Sequence, residues 1–132
     1  MIRVVLTSIP VNDQAKAEKF YTEKLGFVVK QKVPVHGMFW LTVVPPDEPN
    51  APELVLEPQG FEAAQVYYKH LYDNKIPCTA LGCDNVQAEY DRLTKLGVTF
   101  LAPPTPGGEF PANAVFDDTC GNYVMISEPP PA

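Results

Sequence analysis

Asp84-Asn-Val-Gln-Ala-Glu-Tyr-Asp-Arg-Leu-Thr-Lys-Leu-Gly97 decides the fold, because a looser form of it stands 71 positions earlier as Asp13-Gln-Ala-Lys-Ala-Glu-Lys-Phe-Tyr-Thr-Glu-Lys-Leu-Gly26. Asp, Ala, Glu, Lys, Leu and Gly recur in register at 13/84, 17/88, 18/89, 24/95, 25/96 and 26/97. The end matches are the informative ones: an Asp where a helix needs an N-cap, and a Leu-Gly where it needs a left-handed C-terminal stop. Each copy follows one apolar run and precedes another, so the chain reads as a duplicated unit.

Outward from the first copy, residues 2–9 are β-branched and apolar, which predicts a strand, and Ala17, Phe20, Tyr21 and Leu25 form one apolar stripe on a helix over 13–25. Strands follow over 27–33 and 38–44 around a turn at Pro34-Val-His-Gly37, then a proline-studded loop over 45–52 and a strand over 53–57. Residues 60–74 read as an amphipathic connector helix. The second copy brings a strand over 76–83, a helix over 84–96 and a strand over 98–101. A Pro/Gly loop covers 102–111, and strands over 112–116 and 123–127 flank the turn 117–122. The tail Pro129-Pro-Pro-Ala132 is expected to fray. The pattern is α+β: two βαβββ modules, 1–58 and 76–128, joined by a connector over 59–75 within one domain of 132 residues. Where the sheets curve towards each other, their inner faces line either a core or a central cavity.

Composition narrows the function classes. A net charge of −6 and a pI near 4.8, with no Lys/Arg cluster, argue against a nucleic-acid surface. No apolar run is long enough to span a membrane and Met1-Ile-Arg-Val lacks a signal-peptide layout, so no membrane partner and a cytoplasmic location are expected. Cys78, Cys83 and Cys120 are odd in number and have no CxxC spacing, which predicts free thiols. The turn position of Cys120 predicts exposure.

The chain resembles the vicinal oxygen chelate superfamily of glyoxalases, bleomycin-resistance proteins, fosfomycin-resistance enzymes and extradiol dioxygenases. The resemblance rests on Val11-Asn-Asp13, Phe20-Tyr21 and Leu25-Gly26-Phe27 in the first module. In the second it rests on Asp84-Asn-Val86, Leu96-Gly97-Val98 and the hairpin Phe116-Asp-Asp-Thr-Cys-Gly-Asn122. It implies a glyoxalase-like fold, a homodimer and, where the family is catalytic, a divalent metal held on the inner sheet faces. The implied ligand positions lie seven residues before Asp13 and six before Asp84, at Leu6 and Cys78. The other two fall at Met125 and at Leu54, or at Glu53 if the strand slips by one. Leucine cannot coordinate and Met is a soft, weak donor, so no metal and no cofactor are expected.

The expected cavity wall comprises Leu6, Ser8, His36, Trp40, Leu54, Glu57, Cys78, Phe116 and Met125. Trp40 serves either as an aromatic wall or as core packing, and the loop 103–108 serves either as a lid or as a link. No His or Lys is placed beside Cys78 to activate it, so a buried inert thiol is expected. His36 and His70 are not spaced for a metal pair or a catalytic triad. Three readings follow: a metal-independent binder of a small apolar or aromatic molecule, a lyase or isomerase acting on a small carbonyl compound through Glu57 or His36, and a protein whose cavity has closed into a core.

Overall fold

The computed structural model describes residues 1–130, and the chain divides into two units, Met1–Tyr67 and Tyr68–Ala132. In the first, β1 (Leu6–Val11), β2 (Val28–Val35), β3 (Met38–Val44) and β4 (Glu53–Pro58) form one mixed sheet in the order β1-β4-β3-β2, with β1 parallel to β4 and the other pairs antiparallel. Helix α1 (Gln14–Lys19) runs into a π-helical turn, Phe20–Lys24. It buries Ala17, Phe20 and Tyr21, and its side of the sheet holds Ile9, Val11, Leu41, Val43, Leu54 and Leu56, all nearly inaccessible. That layer is the unit's core. His36 and Gly37 close the β2–β3 hairpin with φ of 49° and 80°, the left-handed pair that a two-residue hairpin turn requires.

In the second unit β5 (Thr79–Gly82), β6 (Asn113–Asp117) and β7 (Tyr123–Ser127) form a sheet in the order β5-β7-β6, again with the first strand parallel to the last. Helix α3 (Val86–Lys95) buries Val86 and Leu93, and a chain of edge-on rings, Tyr90 to Phe100 to Phe116, ties it to β6. The strand expected over 98–101 is reduced to one bridge, Phe100 to Phe116, flanked by backbone bonds from Leu101 N–H to Val115 and from Asp117 N–H to Thr99. The edge of this sheet thus repeats the place of β2 without its length. Helix α2 (Glu62–Asp73) precedes β5, and its Tyr72 stacks on Tyr123 at 4.7 Å between centroids and donates a 2.7 Å hydrogen bond to Asp117.

The expected α+β class is observed, built as two mixed sheets of four and three strands. The first strand begins at Leu6, where its pairing with Glu53 starts, rather than at residue 2, and Met1, Ile2, Val4 and Val5 before it are exposed. Pro129 and Pro130 are exposed and irregular, as expected of the tail, whereas Pro131 and Ala132 lie outside the described residues. Cys120 is fully buried, because the turn folds over Asp118, whose carboxylate accepts from the backbone N–H of Cys120 and Asn122.

The duplication is real but its register is offset by one. Asp13 caps α1, accepting from Lys16 N–H at 3.0 Å, whereas α3 is capped by Asn85, accepting from Ala88 N–H at 2.9 Å, and not by Asp84. Both helices stop at a glycine with φ of 89°, Gly26 and Gly97. The first helix therefore has one more residue between cap and stop, and the π turn absorbs it: Leu25 N–H reaches Phe20, five residues back, and Phe27 N–H reaches Tyr21, where Val98 N–H reaches Leu93.

Candidate functional site

Measured from the true caps, Leu6 and Cys78 both lie seven residues upstream and are equivalent. Alternation along the strands then assigns every side chain to a face. In the first unit Leu6 pairs with Glu53, Ser8 with Val55 and Pro10 with Glu57, while Val55 pairs with Thr42, Thr42 with Gln31 and Trp40 with Val33. All of these stand on the face turned away from α1. Leu54 does not: it pairs with Val43 and Thr7 on the helix side and is 6% exposed, so the choice between Leu54 and Glu53 goes to Glu53 as the residue on the helix-free face.

The same argument sorts the second unit. Met125 pairs with Val115 and Ala80 on the helix-free face, with Tyr123 and Asp117. Phe116 pairs with Val124 on the helix side and is fully buried against Phe100, so it is core and not wall. Its large ring in a strand was legible; its facing was not. His36 lies in the exposed turn that joins β2 to β3, outside the paired residues of the sheet.

A polar group inserted into this apolar surface was missed. Glu53 Oε1 accepts from Gln31 Nε2 at 2.6 Å and from Thr42 Oγ1 at 2.7 Å. Thr42 is completely buried, and its hydroxyl, followed by the side-chain amide of Gln31, holds the Glu53 carboxyl below the usual carboxylate range. The available signal was Thr42 itself, a lone polar residue in Met38-Phe-Trp-Leu-Thr-Val-Val44. On the same face Leu6, Val33, Met38 and Trp40 remain between 38% and 49% exposed.

Gln14 was also missed. Its amide fits between β3 and β4 where their ladder ends, donating to the carbonyls of Phe39 and Leu56, both at 2.8 Å, and accepting Phe39 N–H at 3.0 Å. A concavity of about 290 Å³ lies beside it on the helix side, walled by Val11, Leu41, Phe39 and Pro58 and by the Glu18–Lys32 ion pair.

Cys78 is partly buried, and burial, followed by the charge of Asp118, pushes its thiol up to about 12. It is protonated at neutral pH and is a poor nucleophile. A metal does not fit the equivalent positions. Leu6 cannot coordinate, Met125 is a soft and weak donor and Cys78 is held protonated, which leaves Glu53 as the one hard oxygen donor among the four expected positions. Among the described residues no three of His, Cys, Asp and Glu gather closely enough to hold an ion.

Comparison with known proteins agrees with this architecture. The model of the Glyoxalase/Bleomycin resistance protein/Dioxygenase superfamily matches residues 3–126. YurT of Bacillus subtilis (strain 168) is 47% identical over 125 residues, covering 95% of this chain and 98% of YurT. The crystal structure of UcmS2 superimposes with a TM-score of 0.81 at 37% identity, covering 96% of this chain and 98% of UcmS2. TnmS3, an antibiotic binding protein from Streptomyces sp. CB03234, does so at 0.71 and 28%, covering 98% and 97%.

Proposed function

The chain belongs to the Glyoxalase/Bleomycin resistance protein/Dioxygenase superfamily, and from that premise we propose that it binds a small, flat, mostly apolar or aromatic molecule without a metal and without transforming it. The observation that carries this reading is the make-up of the helix-free face of the first sheet. Trp40 is 38% exposed there, in a row with Val33, on the side of the sheet where this fold would need metal ligands. An indole offers a large, rigid surface for stacking at little entropic cost. The antibiotic-binding character of TnmS3 supports the same class of ligand.

Nothing favours the lyase reading to the same degree. Among the described residues Glu57 and His36 share no hydrogen bond, and the thiol at the expected position, Cys78, is held protonated. Two copies are proposed to pair, since Val28, Val35, Met38 and Phe39 of the hairpin remain exposed.

Quenching of Trp40 fluorescence by a panel of planar aromatic antibiotics tests the binding. Saturable quenching, equal with and without a chelator, is the expected result, together with a calorimetric heat of binding that is absent in Trp40→Ala. Stoichiometric metal in the purified protein, or binding that appears only after a divalent ion is added, would sink the metal-free reading. Turnover of a small carbonyl compound would replace it with the enzymatic one.

A further inference from the structure

We infer that Glu53 makes the helix-free face of the first sheet selective for flat ring compounds that carry a positive charge; this rests on the ring-binding reading above and adds the ligand's charge to it. Both protein donors, Gln31 Nε2 and Thr42 Oγ1, converge on a single oxygen of Glu53. Its second oxygen takes no hydrogen bond recorded among the described residues. The arrangement fixes the carboxylate and leaves an acceptor unused, which is the condition for receiving a donor from outside.

Its surroundings define what that donor is attached to. Leu6 lies directly opposite Glu53 in the β1–β4 ladder, and Trp40 stands on the same face two residues along β3 from Thr42. Successive same-face side chains on a strand are about 7 Å apart, so a fused ring lying on Trp40 brings a substituent to Glu53. A cation also gains from the indole face itself.

Glu57, four residues along β4 from Glu53, is a second carboxylate on the same side. Among the described residues neither carboxylate on this face is held in an ion pair. The cations of the neighbouring strand are committed elsewhere. Lys30 acts weakly on Glu53 but its Nζ donates to the Pro49 carbonyl at 2.8 Å. Lys32 points to the helix side, where it pairs with Glu18 at 2.9 Å and lies over the Phe39 ring. A cationic ring is therefore met by two carboxylates and an indole, and an anionic one by repulsion.

Two probes of similar size separate the contributions: proflavine, a planar cation at neutral pH, and the neutral 9-anthracenemethanol, both titrated by Trp40 quenching. Proflavine is expected to bind about tenfold or more tightly than the neutral ring, the scale of one charge-assisted hydrogen bond. Glu53→Gln, which keeps an oxygen for Thr42 and Gln31, is expected to abolish that preference and leave 9-anthracenemethanol within about twofold. Raising the salt to 0.5 M should shrink the preference in the unaltered protein, a measurement that needs no variant to fold. If both probes bind alike, or proflavine binding survives Glu53→Gln and high salt, the charge selectivity is wrong while ring binding stands. If neither probe binds in a Trp40-dependent way, ring binding itself fails and the selectivity with it.

Discussion

Replacing Gln14 with leucine is expected to destabilise the first unit more than any other single change to a partly exposed residue. The side chain makes three hydrogen bonds to main-chain groups, two donated to the carbonyls of Phe39 and Leu56 and one accepted from Phe39 N–H. They close a split in the sheet where the β3–β4 ladder stops at Thr42–Val55. A hydrogen bond contributes about 0.5–1.5 kcal/mol net. The Phe39 groups are solvent-accessible and recover water when the amide goes, whereas the Leu56 carbonyl is part-buried and recovers less. The sum for Gln14→Leu is thus about 2 kcal/mol, towards the lower end of three full bonds. For a chain of this size that corresponds to a fall in Tm of about 6–10 °C. Urea unfolding with a common m-value is the assay. Gln14→Glu sharpens it: the charged form sets a carboxylate against two carbonyls, while the protonated form donates to one of them. Folding raises that carboxyl's pKa, so the stability it contributes is present at low pH and lost as pH rises through the folded value. A loss below about 0.5 kcal/mol for Gln14→Leu, or a Gln14→Glu variant that grows more stable from pH 4 to 7, would refute the role assigned to this amide.

Further expectations concern the core, the caps and the titrating groups. Phe116→Ala should cost about 3–5 kcal/mol in denaturant unfolding, as a core ring does, whereas Trp40→Ala, at an exposed position, should cost far less and instead remove ring binding. Gly97→Ala, at φ of 89°, should cost about 1 kcal/mol. Cys78 should resist iodoacetamide at pH 8 in the native state and react on unfolding, because its thiol lies near 12 when buried. Thr42→Val should move the Glu53 carboxyl back towards 4.5 in an NMR titration, since Thr42 is the first cause of its depression. The stability Glu53 gains by that depression is present above 4.5 and is lost as pH falls through the lower, folded value.

The repeat was legible because caps and stops are local. A glycine at φ of 89° and an Asp or Asn whose oxygen reaches the third N–H onward are set by a few adjacent residues. The same local chemistry hid the offset: Asp84 and Asn85 are both good caps, and only the π turn through Phe20–Lys24 decides that Asn85 is the partner of Asp13. The strand over 98–101 failed for a different reason. Its apolar pattern was present, but within 98–101 Phe100 alone bridges to β6.

The amino-acid sequence by itself determined that this is a duplicated α+β protein of a known superfamily, and that the positions suited to a metal carry leucine, cysteine and methionine. Which side chains share a face was decided by tertiary structure alone, because strand period is two and a one-residue slip reverses every assignment. It turned Leu54 and Phe116 into the cores and Glu53 outward. It also gathered Gln31, Thr42 and Glu53 from three strands around one oxygen atom, a meeting of residues up to 22 positions apart that no local pattern specifies.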